Sequence, residues 1–173
     1  MITKYISLFA AIFLSLVATT TQAQVKKAEI MATGLTCSLC SNAINKQLEA
    51  MPMVANVETD LNTNTFVISF KDDNFVELVV LKDAVEKAGF FVGSMVVTID
   101  IDTDMIKSEN SFVINNNTFN LIDKKSVTVG ETKFKIANKG FVTQKEYKKL
   151  AKSNAKNESY LANEKQIYHL QTI

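Results

Sequence analysis

At Gly34 the spacing of apolar residues changes. Before it, Ala28, Ile30 and Ala32 alternate with Lys27, Glu29 and Met31, the period of a strand over Val25–Thr33, weakened only by Met31. After it, Cys40, Ile44, Leu48 and Met51 recur at helical spacing and, with Ala43, make one apolar face. Asn42, Asn45, Lys46 and Glu49 point elsewhere, and Pro52 closes the helix. The residues between the two patterns, Gly34-Leu35-Thr36-Cys37-Ser38-Leu39-Cys40, therefore form a strand-to-helix turn. They hold both cysteines of the chain. Gly34 supplies the backbone freedom that such a bend requires.

The next segments repeat the alternation of periods. Val54–Leu61 and Thr65–Lys71 read as a hairpin around Asn62-Thr63-Asn64, with Phe66, Ile68 and Phe70 on one face. Asn74 and Glu77 stand at capping-box spacing before a second amphipathic helix carrying Leu78, Leu81, Val85 and Ala88. Gly89 ends that helix, and Phe90–Ile99 is a fourth strand. The order strand, helix, strand, strand, helix, strand predicts an α+β, ferredoxin-like βαββαβ domain over residues 24–99.

Residues 100–173 predict a second, small α+β or β-rich domain. Short strands are expected at Ser111–Asn115 and Thr118–Ile122, and a hairpin from Val127–Val129 and Thr132–Ala137 around Gly130-Glu131. Thr143 and Glu146 form a capping box for a helix to about Ser153, and Gln166–Thr172 reads as a last strand. About 70 residues build only a modest core, so docking on the first domain is expected. Asp100, Asp102 and Asp104 read as a solvated edge. Lys145, Lys148, Lys149 and Lys152 read as the solvated face of the helix. His169, the single histidine, reads as structural.

The N-terminus has the pattern of an export signal. Lys4 precedes an apolar run from Ile6 to Ala18, too short to span a bilayer comfortably, and Thr21-Gln22-Ala23 places cleavage after Ala23. Residues 1–23 are thus expected to be a signal peptide, which makes the product periplasmic or secreted, without a membrane anchor. Lys4 aside, Lys and Asp plus Glu are equal in number, which argues for local recognition over steering by net charge. The chain has no arginine, which disfavours nucleic acid as a partner.

Residues 26–99 resemble the heavy-metal-associated domain of soluble copper chaperones and metal-exporting ATPases. The family signature Gly-Met-x-Cys-x-x-Cys stands here as Gly34 to Cys40, with Leu35 for methionine. Ala88-Gly89-Phe90 matches a second family feature. The resemblance implies that Cys37 and Cys40 ligate the metal, with Gly34, Leu35 and Thr36 supporting the loop and Phe90 shielding it. Zinc-selective members often carry aspartate where Thr36 stands, so the resemblance favours copper. It also implies a metal-transporting ATPase or another copper protein as partner.

The residue chemistry points the same way. Two thiolates suit Cu(I), which is soft and accepts low coordination. Zn(II), or another soft divalent metal, comes second, because zinc normally takes four ligands. A helix N-terminus favours the anionic, metal-ligating form of sulfur. The methionines (Met31, Met51, Met53, Met95 and Met105) read as core fillers. In an oxidising compartment the competing state of the pair is a disulfide. The expected function is therefore an exported, non-enzymatic protein for metal transfer, scavenging or homeostasis. The alternatives are a thiol-disulfide oxidoreductase, disfavoured by the absence of tryptophan and of a Cys-Gly-Pro-Cys sequence, and a metal-responsive protein-interaction module.

Overall fold

The computed structural model describes residues 24–35, 38–72, 75–107, 111–123, 127–162 and 164–173. The expected signal peptide, Thr36, Cys37 and Asn74 lie outside these residues. Strand β1 (Val25–Thr33) buries Ala28, Ile30 and Ala32 on one face, as their alternation requires. Helix α1 (Ser38–Glu49) follows, then the hairpin β2 (Val54–Asp60) and β3 (Thr65–Phe70), helix α2 (Leu78–Lys87) and strand β4 (Phe91–Ile101). These six elements form the ferredoxin-like unit, its strands in the order β2-β3-β1-β4.

Helices α1 and α2 pack their apolar faces on the core side of this sheet. Ile44 and Leu48 of α1 and Leu78, Leu81 and Val85 of α2 are fully buried with Phe66, Ile68, Ile30 and Met95. One detail of α1 departs from its apolar spacing: Ala43 is exposed and Ser41 is 3% exposed. The helix is rotated so that Ser41, Ile44 and Leu48 make the buried ridge, a small residue occupying the position where helix and sheet come together.

Strand β4 is an edge of the ferredoxin-like unit but not of the protein. Val96–Ile101 also pairs antiparallel with β7 (Gly130–Ile136), so the sheet continues without a break. Strand β8 (Ile167–Thr172) follows β7, and the hairpin β5 (Ser111–Ile114) and β6 (Asn117–Leu121) completes the order β2-β3-β1-β4-β7-β8-β6-β5. The expected boundary between residues 99 and 100 falls inside β4. The predicted hairpin at Gly130 does not form. Residues 127–129 are not a strand, because β7 finds its partners in β4 and β8. Asn115 and Asn116 (φ 48° and 63°) make the tight β5–β6 turn.

The second half of the sheet curls strongly. Phe112 on β5 and Phe134 on β7 lie three strand steps apart, roughly 14 Å in a flat sheet. Their ring centroids are 6.5 Å apart. Phe112, Phe119, Phe134 and Tyr168 thus close a core continuous with that of the first unit. Helix α4 (Gln144–Ser153) lies against the other face of the sheet, where its Glu146 pairs with Lys135 of β7. Tyr147 of α4 stacks on Tyr160 of the short helix α5 (Glu158–Ala162). The short helix α3 (Thr103–Lys107) leads out of β4.

Candidate metal centre

Three elements place the cysteine loop. Strand β1 delivers Gly34, which turns the chain with φ of 91°, a conformation that L side chains resist. Leu35 is partly buried and packs on the core. Helix α1 begins at Ser38, so Cys40 stands in its first turn, half-buried. That turn contains no acidic residue, so no carboxylate there offsets the positive end of the helix.

The third element is the end of α2. Gly89 adopts φ of 90°; its N–H donates to Glu86 O at 2.9 Å, and the N–H of Phe90 donates to Val85 O at 3.2 Å. This Schellman closure turns the chain back so that Phe90 packs on the core. Phe90 reaches Gly34: its Cδ1 lies 3.8 Å from where a β-carbon on Gly34 would sit. Gly34, Leu35, Cys40 and Phe90 therefore belong to one end of the sheet. Thr36 and Cys37 are outside the described residues.

Around this end the surface is apolar in places. Leu39, beside Cys40, is 77% exposed and Phe91 is 69% exposed. Met31, expected as a core filler, is instead partly exposed on the outer face, whereas Met95 is fully buried. The Met31 methyl lies against Gly93 of β4, and Thr33 Oγ1 donates to Phe91 O at 3.3 Å. The pairing of Thr33 with Phe91 sets this rim, which strand period alone does not reveal.

The other residues singled out by sequence lie elsewhere. His169 is fully buried on β8, with Nε2 3.1 Å from Ser159 Oγ, and its burial pushes the imidazole pKa down. Asp102 caps α3, its Oδ1 accepting the N–H groups of Asp104 and Met105 at 2.9 and 2.8 Å. Asp100 belongs to β4. Among the described residues, no three His, Cys, Asp or Glu side chains come together as a metal-binding group.

The model of the heavy-metal-associated domain family matches residues 29–91. Solved structures similar to part of the chain include three copper-related domains. A yeast copper transporter domain, solved in apo and Cu(I)-loaded states, is 34% identical, with 38% of this chain and 88% of that one covered and a TM-score of 0.35. The N-terminal domain of a potential copper-translocating P-type ATPase from Bacillus subtilis, in the Cu(I)-loaded state, is 31% identical, with 39% and 82% covered and a TM-score of 0.35. A chain of the Atx1–Cu(I)–Ccc2a complex is 33% identical, with 39% and 90% covered and a TM-score of 0.35. No curated protein sequence matches the chain.

Proposed function

Residues 29–91 are a heavy-metal-associated domain, and from that premise we propose that the chain carries a soft transition metal as cargo, Cu(I) ahead of Zn(II), on Cys37 and Cys40. One observation carries this reading. Gly34, Cys40 and Phe90 stand at the same end of the family-matched unit, with Cys40 in the first turn of α1 and Phe90 against Gly34. Two sulfur ligands satisfy Cu(I) at low coordination, and an open coordination shell lets a partner's thiolates take the ion by ligand exchange. Leu39, beside Cys40, is exposed, which supports a site open to such an exchange. The single histidine of the chain is engaged with Ser159 and buried, so it does not serve this loop.

In this proposal the chain is a binding protein and not an enzyme. It is exported, with cleavage after Ala23, and it passes Cu(I) to a metal-transporting ATPase or another copper protein, or sequesters it. The support for export is the Lys4, Ile6–Ala18 and Thr21-Gln22-Ala23 pattern. Anaerobic titration of the reduced protein tests the metal reading: about one Cu(I) is expected per chain. The Cys37→Ser, Cys40→Ser variant is expected to lose it, and equally tight binding by that variant would refute the site. The mass of the protein recovered from its producing cells tests cleavage after Ala23.

A further inference from the structure

The charge of the chain is balanced in total but not along its length. Residues 24–104 hold twelve Asp and Glu against six Lys, and residues 105–173 hold twelve Lys against six Asp and Glu. A near-neutral sum therefore conceals two halves of opposite sign. The basic charge is densest on α4 and the turn after it, where Lys145, Lys148, Lys149, Lys152 and Lys156 are all exposed. The four on the helix are three or four residues apart, or adjacent, and so share one flank. The opposite flank is turned to the protein through Glu146, Tyr147 and Leu150. Among the described residues, none of the five lysines is held in an ion pair.

What this flank lacks narrows what it can hold. With no arginine in the chain, it has no planar fork for bidentate recognition of a single phosphate or carboxylate. The other exposed side chains on α4 are Gln144 and Ser153, so the helix presents no aromatic or aliphatic anchor. Protein interfaces are depleted in lysine and rest on such anchors. A row of mobile point charges suits an anionic surface whose charge is spread and laterally free.

We propose that the α4 flank docks the chain peripherally on an anionic lipid bilayer. Nothing apolar on the flank inserts, so the contact is electrostatic, reversible and weakened by salt. The excess of acidic residues in 24–104 is repelled by the same surface, so docking through those residues is disfavoured.

Co-sedimentation of the full chain with vesicles tests this. Vesicles of phosphatidylglycerol and phosphatidylcholine in equal parts are compared with phosphatidylcholine alone, at low salt and at physiological ionic strength, where screening acts over about 8 Å. Binding is expected on the anionic vesicles only and weaker in salt, with about a fivefold loss for each lysine removed. The variant Lys145→Gln, Lys148→Gln, Lys149→Gln, Lys152→Gln should stay in the supernatant with its circular dichroism unchanged. Lys46→Gln with Lys87→Gln, which removes two exposed lysines of the acidic half, should bind as the parent does. Equal binding by the quadruple variant overturns the proposal. So does binding indifferent to salt and lipid charge, the signature of an apolar segment such as residues 6–18. Retention on immobilised polyglutamate without vesicle binding also overturns it, and assigns the flank to an acidic protein.

Discussion

The side-chain Nδ2 of Asn117, on β6, donates to the backbone carbonyl oxygen of Val76 at 3.3 Å, just ahead of helix α2. A residue of the second half of the sheet thus holds the entry to a helix of the family-matched unit. Glu77 occupies the N-cap position of α2 and makes no side-chain cap. The capping box expected from Asn74 and Glu77 is therefore corrected: Glu77 is the cap residue, not the third helical one. The end of the same helix delivers Phe90 to Gly34.

Asn117→Ala removes this donor from a side chain that is buried. The expected loss is about 1 kcal/mol, the usual net value of one hydrogen bond. Urea denaturation measures it. Amide exchange at Leu78 and Val79 should quicken at the same time. Unchanged exchange would show that the Asn117 amide does not hold the helix.

Gly93 is required for space. A β-carbon there would stand 2.5 Å from Thr33 Cγ2, 3.0 Å from Met31 Cε and 3.3 Å from Met31 O. Gly93→Ala should cost about 1–3 kcal/mol by overpacking. Thr33→Ser removes the nearest methyl and should recover part of that loss in the double variant. A double-mutant cycle in thermal unfolding checks this, and strict additivity of the two substitutions would count against it.

Asn138 holds the connection after β7 to β8. Its Nδ2 donates to Ile167 O at 2.8 Å and its Oδ1 accepts the N–H of His169 at 2.6 Å. The side chain is buried, so Asn138→Ala leaves a backbone donor and acceptor without partners. The expected destabilisation is about 2–4 kcal/mol. Urea unfolding monitored by circular dichroism reports it. A loss no larger than that of an exposed Asn→Ala change would mean that water replaces the amide.

Burial holds the imidazole of His169 below its ordinary range. The unfolded chain therefore takes up the proton first as the pH falls. Stability contributed by neutral His169 is complete above the unfolded pKa of about 6.5 and is lost as the pH drops through that value toward the lower folded one. Unfolding midpoints between about pH 8 and about pH 5 should fall for the parent. They should fall less for His169→Gln, and the same slope in both would exclude this residue as the cause.

Most of the first unit is legible because its signals are local. Ala28, Ile30 and Ala32, then Phe66 and Ile68, alternate over a few residues, and those positions are buried as the period demands. Gly34 and Gly89 mark the two bends on which the site depends, and both take positive φ. The face of α1 was legible only to within one position, since apolar spacing cannot say whether Ala43 or the equally small Ser41 meets the sheet. Thr143 Oγ1 caps α4 by accepting the N–H of Glu146, as the motif predicts. The Glu146 carboxylate goes instead to Lys135, a partner supplied by another strand.

The cysteine pair, the turn that carries it and the strand and helix on either side are written within some twenty adjacent residues, because period and backbone freedom act over that range. The course of the second half is written nowhere locally. Whether β4 ends the sheet or pairs with β7 depends on which exposed N–H and C=O groups find each other across the chain. Tyr168 meets Phe119 and Phe141, and His169 is buried, only once β8 has been laid between β7 and β6. Burial and long-range pairing are properties of the packed molecule, and they bind the end of the chain to the unit that carries the cysteines.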